Sequence, residues 1–145
     1  MVLWEIEGNG NCIDKCPDMD KVAGILIKRE AEDKMKVLCE TYPSQEWHAA
    51  LIGKIVDNKY EISDIKVFPQ EGTGAHIELT SEGDLLRAKT KGIVGWVHSH
   101  NTMNAGHSPQ DDRTAIMHTV SLTTNNKADY ACKVKIKLPC GKETI

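Results

Sequence analysis

No apolar run in the sequence approaches the 18 or more residues of a membrane span, and the longest, such as Ala23 to Ile27, are the size of a strand. The first residues, Met1-Val2-Leu3-Trp4-Glu5, lack the basic and apolar regions of a secretory signal. Positive charge is not in excess either: 18 Lys and Arg stand against 21 Asp and Glu, giving a net charge of -3. A basic face for duplex binding is therefore not expected, and nucleic acid is not an expected partner. The five cysteines (Cys12, Cys16, Cys39, Cys132, Cys140) are odd in number and contain no C-x-x-C pair. That argues against a disulfide framework and for a reducing compartment, so the expected location is cytoplasmic, with no membrane partner. Repeats, low-complexity tracts and Gly/Ser/Pro linkers are also missing, which predicts one domain over residues 1–145.

What is present is a balanced globular composition, with 40% hydrophobic and 27% charged residues. A turn-rich stretch over 9–20 separates a short first strand from the rest. Val22 to Ile27 reads as a strand, and Arg29 to Thr41 as an amphipathic helix ending before Pro43. Trp47 to Val56 and Tyr60 to Val67 read as antiparallel strands around Asp57-Asn58-Lys59, with Ile77 to Leu79 as an additional strand. Ser81 opens a second helix through Ala88, closed by Lys91-Gly92. The run Ile93 to Val97 is apolar throughout and reads as a central strand buried on both faces. Ser108-Pro109-Gln110-Asp111 has a hydroxyl at N-cap, Pro at N1 and an acid at N3, which predicts a helix to about Val120. Val120 to Thr124 and Tyr130 to Leu138 complete the strands. In the last of them, Lys133, Lys135 and Lys137 alternate with apolar residues, the pattern of a protected edge. The expected fold class is α/β, a mixed central sheet flanked by helices.

The segment that carries chemistry is Val97-His98-Ser99-His100 with the Ser108–Asp111 helix start. Residues two apart on a strand project to one face, so His98 and His100 can present both imidazoles to one point. Asp111, in the first turn of the next helix, can be returned to the same point by the intervening glycine-containing loop. Two imidazoles and one carboxylate leave zinc a fourth position for water, the arrangement of a catalytic site. His107 and Asp112 are competing ligands. They rank lower because His107 precedes the helix start and Asp112 is turned about 100° from Asp111 on the helix.

His98, Ser99, His100, Ser108 and Asp111 together resemble the JAB/MPN metalloprotease domain, whose JAMM motif is an upstream Glu followed by H-[S/T]-H-x7-S-x2-D. Glu46 stands in the place of the upstream acid, opening Glu46-Trp47-His48-Ala49-Ala50-Leu51-Ile52-Gly53, which is similar to the family's E-x-x-G-x-x-x-G segment. Ala49 replaces a common Gly, adding a methyl near the site, and Asn101 replaces the Pro that usually follows the second His. Both departures are expected to alter loop geometry or substrate preference while leaving every ligand in place.

The resemblance implies a cytidine deaminase-like α/β fold and a zinc-dependent peptidase or isopeptidase. It implies Zn2+ held by His98, His100 and Asp111, Glu46 as general base and then acid, and Ser108 as hydrogen-bond donor to the oxyanion. For so compact a chain the expected partner is a protein substrate, the C-terminal tail of a ubiquitin-like or sulfur-carrier protein. Phage tail-assembly or cell-wall peptidases of the same family are the alternative, as is a non-catalytic scaffold. A base deaminase needs H-x-E and P-C-x-x-C, and neither occurs. Cys12, Cys16, Cys132 and Cys140 are spaced poorly for a second zinc site and read as incidental thiols.

Overall fold

The computed structural model describes residues 2–6, 23–56, 59–72, 77–102, 105–106, 120–134, 136–137 and 143–144. Helix α1 spans Arg29–Thr41, where the sequence pattern predicts it. Ala31, Met35 and Cys39, four residues apart, form its buried stripe, and Glu30 and Glu32 complement the positive end of the helix dipole. The Tyr42 amide donates to the Leu38 carbonyl at 2.9 Å and Pro43 follows, so the helix stops there.

Against α1 lies a seven-stranded mixed sheet. Its strands are β1 (Val2–Ile6), β2 (Ala23–Ile27), β3 (His48–Val56), β4 (Lys59–Lys66), β7 (Ile93–Ser99), β8 (Val120–Thr124) and β9 (Tyr130–Val134), in the order β1-β2-β4-β3-β7-β8-β9. The β2–β4 and β7–β8 pairs are parallel and the remaining neighbours antiparallel. The face toward α1 carries the core: Ile25, Ile27, Leu51, Ile62, Val97 and Leu122 are all fully buried there with Met35. Truncating Met35 to Ala in such a setting costs about 2–5 kcal/mol.

Two irregularities keep apolar residues inward. The β3–β4 register passes from Ile52↔Asp64 to Gly53↔Ile62, so Ser63 is the extra residue of a bulge and the buried set changes from Tyr60 and Ile62 to Ile65. In the β3–β7 pair the register passes from Leu51↔Gly95 to Ile52↔Ile93, which makes Val94 extra.

Several expectations need correction. A three-residue strand β5 (Gln70–Gly72) pairs with β6 (Ile77–Leu79) in a small separate sheet, and nothing in the pattern predicts it. Helix α2 spans Ser81–Lys89, opening at Ser81 as the sequence predicts, with the Thr80 hydroxyl capping it by accepting from the Gly83 amide. Its basic last turn is Arg87 and Lys89, and the positive φ of Gly92, 82°, belongs to the approach to β7 rather than to the cap itself. In β7 the α1 side is closed, with Gly95, Val97 and Ser99 buried, while Val94, Trp96 and His98 are only half-buried. The expected strand Tyr130 to Leu138 is divided: β9 ends at Val134, and β10 (Ile136–Lys137) pairs instead with β11 (Glu143–Thr144). Strand β9 is one edge of the sheet, in keeping with Lys133. Among the described residues no helix is long and apolar enough to cross a membrane. The helix expected from Ser108 to about Val120 lies outside the described residues up to the start of β8.

Candidate metal centre

His98 and Ser99 end β7, and His100 follows directly. Strand alternation buries Ser99 on the α1 side and turns His98 and His100 to the other face. The Nε2 atoms of His98 and His100 lie 3.0 Å apart, with ring centroids 4.9 Å apart and planes at 57°. Two imidazole lone pairs cannot face each other at that distance. A proton or a cation has to lie between them. Zinc bound tetrahedrally by two nitrogens at about 2.0–2.1 Å would set them roughly 3.3 Å apart, close to the spacing observed. The donor chemistry and the convergence both fit the metal. Among the described residues, however, no three His, Cys, Asp or Glu side chains gather around one point.

Ser99, between the imidazoles, stiffens their base. Its amide donates to the Trp47 carbonyl at 2.9 Å and its hydroxyl accepts from the Asn101 amide at 3.0 Å. The His100 amide donates to the Thr124 carbonyl at 2.7 Å, so both flanking strands grip the segment. The chain then turns through Asn101, which has φ 57° and is buried, its carbonyl accepting from the Asn126 amide at 2.7 Å. Proline, with φ near −65°, cannot occupy this left-handed position, whereas Asn tolerates it. The departure from the motif is therefore a change of loop geometry, as expected. Further along, the Ala105 carbonyl accepts from the Thr123 hydroxyl, and Thr123 is the β8 register partner of His98.

Glu46 is half-buried and lies just before β3. His48 pairs with His98 and the Trp47 carbonyl with the Ser99 amide, so one further step in register brings Glu46 opposite His100. Opposite residues of an antiparallel pair share a face, which places Glu46 on the imidazole side of the sheet. Ala49 behaves otherwise. It pairs with Val97 and is fully buried in the α1-side core, so the methyl expected near the site lies on the opposite face. Gly53, which closes the same segment, lies against the Glu61 carbonyl, where any Cβ would collide. Ser108 and Asp111, and the competing His107 and Asp112, lie outside the described residues.

Two residues with no motif of their own stand beside the site. His48, opposite His98, packs its ring 5.3 Å from Trp96, which in turn packs 6.1 Å from Phe68. Burial holds the His48 imidazole below the usual histidine range, so it is neutral at neutral pH. Gln70 bonds the His48 backbone at both its N–H and its C=O, each at 2.9 Å. No sequence spacing announces either role, since both arise from contacts set by the sheet. Of the cysteines, Cys132 has its thiol pushed up to about 12 by burial, which disfavours the thiolate a second zinc site would require. Cys12, Cys16 and Cys140 lie outside the described residues. A cavity of about 330 Å³ lined by Met35, Cys39, Pro43, Asn125 and Tyr130 opens between α1 and the β8–β9 turn, on the side away from the imidazoles.

No protein-family model matches the chain, and no curated protein matches it by sequence. Solved structures do. Protein DSY2949 from Desulfitobacterium hafniense, a solution structure, superposes with a TM-score of 0.59 at 16% identity, covering 83% of this chain and 89% of that one. AF2198 from Archaeoglobus fulgidus, a JAB1/MPN domain protein, superposes with a TM-score of 0.50 at 16% identity, covering 83% of this chain and 94% of that one. The mixed sheet with α1 on one face and the imidazole pair at the end of a central strand is thus built on a fold similar to that of a JAB1/MPN domain protein.

Proposed function

We propose that this chain is a zinc-dependent metallopeptidase or isopeptidase acting at the C-terminal tail of a ubiquitin-like or sulfur-carrier protein. The observation that carries the reading is the convergence of His98 Nε2 and His100 Nε2 to 3.0 Å at the end of β7, in a fold similar to that of a JAB1/MPN domain protein. His98, His100 and Asp111 would hold the ion. When bound, zinc supplies Lewis acidity, polarising a carbonyl and lowering the pKa of water toward about 7. Glu46, two residues before the His48↔His98 pair, removes a proton from the attacking water and returns one to the leaving amine. The Ser108 hydroxyl donates to the carbonyl oxygen as it gains negative charge. Neutral imidazoles are required at both ring nitrogens that would face the ion, and the bonds from the Ser99 and His100 amides fix the backbone from which those rings project.

The test is a cleavage screen of the zinc-loaded chain against ubiquitin-like proteins carrying C-terminal extensions. Release of the extension, abolished by a chelator and restored by Zn2+, is the expected result. Failure to cleave any fusion, with zinc bound, overturns the substrate reading. Failure to bind zinc at all overturns the metallopeptidase reading and leaves a scaffold.

A further inference from the structure

Among the described residues, no strand pairs with the start of β3 on its β4 side. The β3–β4 ladder runs from Val56↔Lys59 to Ala50↔Lys66, and the next pair in step would be His48 opposite Phe68. That pair is not formed by the backbone. Pro69 has no N–H to give, and its carbonyl is taken by Thr80, accepting from the amide at 3.0 Å and the hydroxyl at 3.2 Å as the chain leaves for α2. His48 would be left with an unpaired peptide edge two residues after Glu46.

The Gln70 side chain fills the gap. Its Oε1 accepts from the His48 N–H at 2.9 Å, and its Nε2 donates to the His48 carbonyl at 2.9 Å and to the Phe68 carbonyl at 2.9 Å. A carboxamide carries C=O and N–H side by side, as a peptide does, so a single side chain replaces one rung of a β-ladder. On its other edge His48 faces His98. The backbone leading to Glu46 is thus fixed from both sides, and a general base depends on placement within fractions of an ångström.

We propose that Gln70 is a positioning residue for the Glu46 carboxylate, acting through the His48 backbone and touching neither substrate nor metal. This inference rests on the zinc hydrolase reading and adds to it the device that sets the base. Its test uses the whole chain in three forms: wild type, Gln70→Ala and Gln70→Glu. The glutamate keeps the size and one acceptor but cannot donate to the two carbonyls at neutral pH. Amide exchange at His48 should accelerate about tenfold or more in Gln70→Ala and less in Gln70→Glu, which keeps an acceptor for that amide, while the amides of Ser99 and His100 keep their wild-type protection in both. Zinc stoichiometry and KM for a fusion that wild type cleaves should stay within about twofold, with kcat reduced roughly 10- to 100-fold.

Wild-type kcat in both variants overturns the positioning role, whatever happens to exchange. So does a parallel fall of kcat, zinc content and melting temperature, which marks Gln70 as a general support of the fold. A wild-type chain that binds no zinc and cleaves nothing fails differently: it refutes the hydrolase reading, and the proposal with it, before any variant is compared.

Discussion

The Trp47 carbonyl accepts the Ser99 amide proton at 2.9 Å, and through that one bond the two halves of the candidate site are set against each other. Glu46 directly precedes Trp47, and His98 and His100 flank Ser99. The 51 residues between Trp47 and Ser99 are thereby removed from the problem of bringing an acid to a pair of imidazoles. If Glu46 is the proton carrier, Glu46→Gln should leave the zinc stoichiometry of wild type and lower kcat by about 10²–10⁴-fold. Metal analysis beside single-substrate kinetics checks this, and full turnover in the variant rules out the assigned role.

Metal retention should depend on the imidazoles. His100→Ala is expected to lose both zinc and hydrolysis, because removing one of three ligands leaves a weak two-ligand site. His98→Ala should match it. Titration with Zn2+ followed by calorimetry measures the loss, and a wild-type affinity in either variant would exclude the pair as ligands.

The turn after His100 makes a second kind of prediction. Asn101 holds φ at 57°, so Asn101→Gly should be tolerated within a few tenths of a kcal/mol to about 1 kcal/mol, whereas Asn101→Pro should disrupt the turn and weaken zinc binding. The proline variant also loses the amide that donates to Ser99 Oγ. Denaturant midpoints and zinc affinity, measured for both variants, read the contrast.

Alkaline pH should destabilise the fold through two half-buried groups. Burial pushes the Cys132 thiol up to about 12, and burial, with the nearby Glu32 and Cys39, pushes the Tyr130 phenol up to about 12. Their ordinary values are 9.0 and 10.0. Between those values and about 12 the folded chain holds protons that the unfolded chain has released. Stability is therefore fully present below about pH 9 and falls as pH rises. Cys132→Val with Tyr130→Phe should flatten the decline in melting temperature between pH 9 and 11. An unchanged slope would show that neither group contributes.

Much of this architecture can be read from periodicity. Helix α1 matches its pattern end to end because Ala31, Met35 and Cys39 recur at helical spacing and Pro43 follows. The imidazole pair is equally legible, since a period of two at the end of an apolar strand forces a shared face. Legibility ends where the partner, not the local pattern, decides. The apolar alternation of Cys132, Val134 and Ile136 continues without interruption, yet pairing passes from β8 to β11 after Val134. Gln70 and Ala49 show the same limit within the site. A glutamine amide bonded to a backbone 22 residues away has no signature, and whether Ala49 faces the imidazoles or the core follows from register with Val97. Ser108 and Asp111 rest on the helix-start pattern and on the resemblance to the JAMM motif, and they lie outside the described residues.

The imidazoles ride on β7, which has β3 on one side and β8 on the other, deep within the order of the sheet. Peeling away either margin, β1 or β9, would leave them undisturbed. The backbone that carries the two rings should therefore keep its place while either margin frays, and lose it only when the β3–β7 or β7–β8 pairing opens.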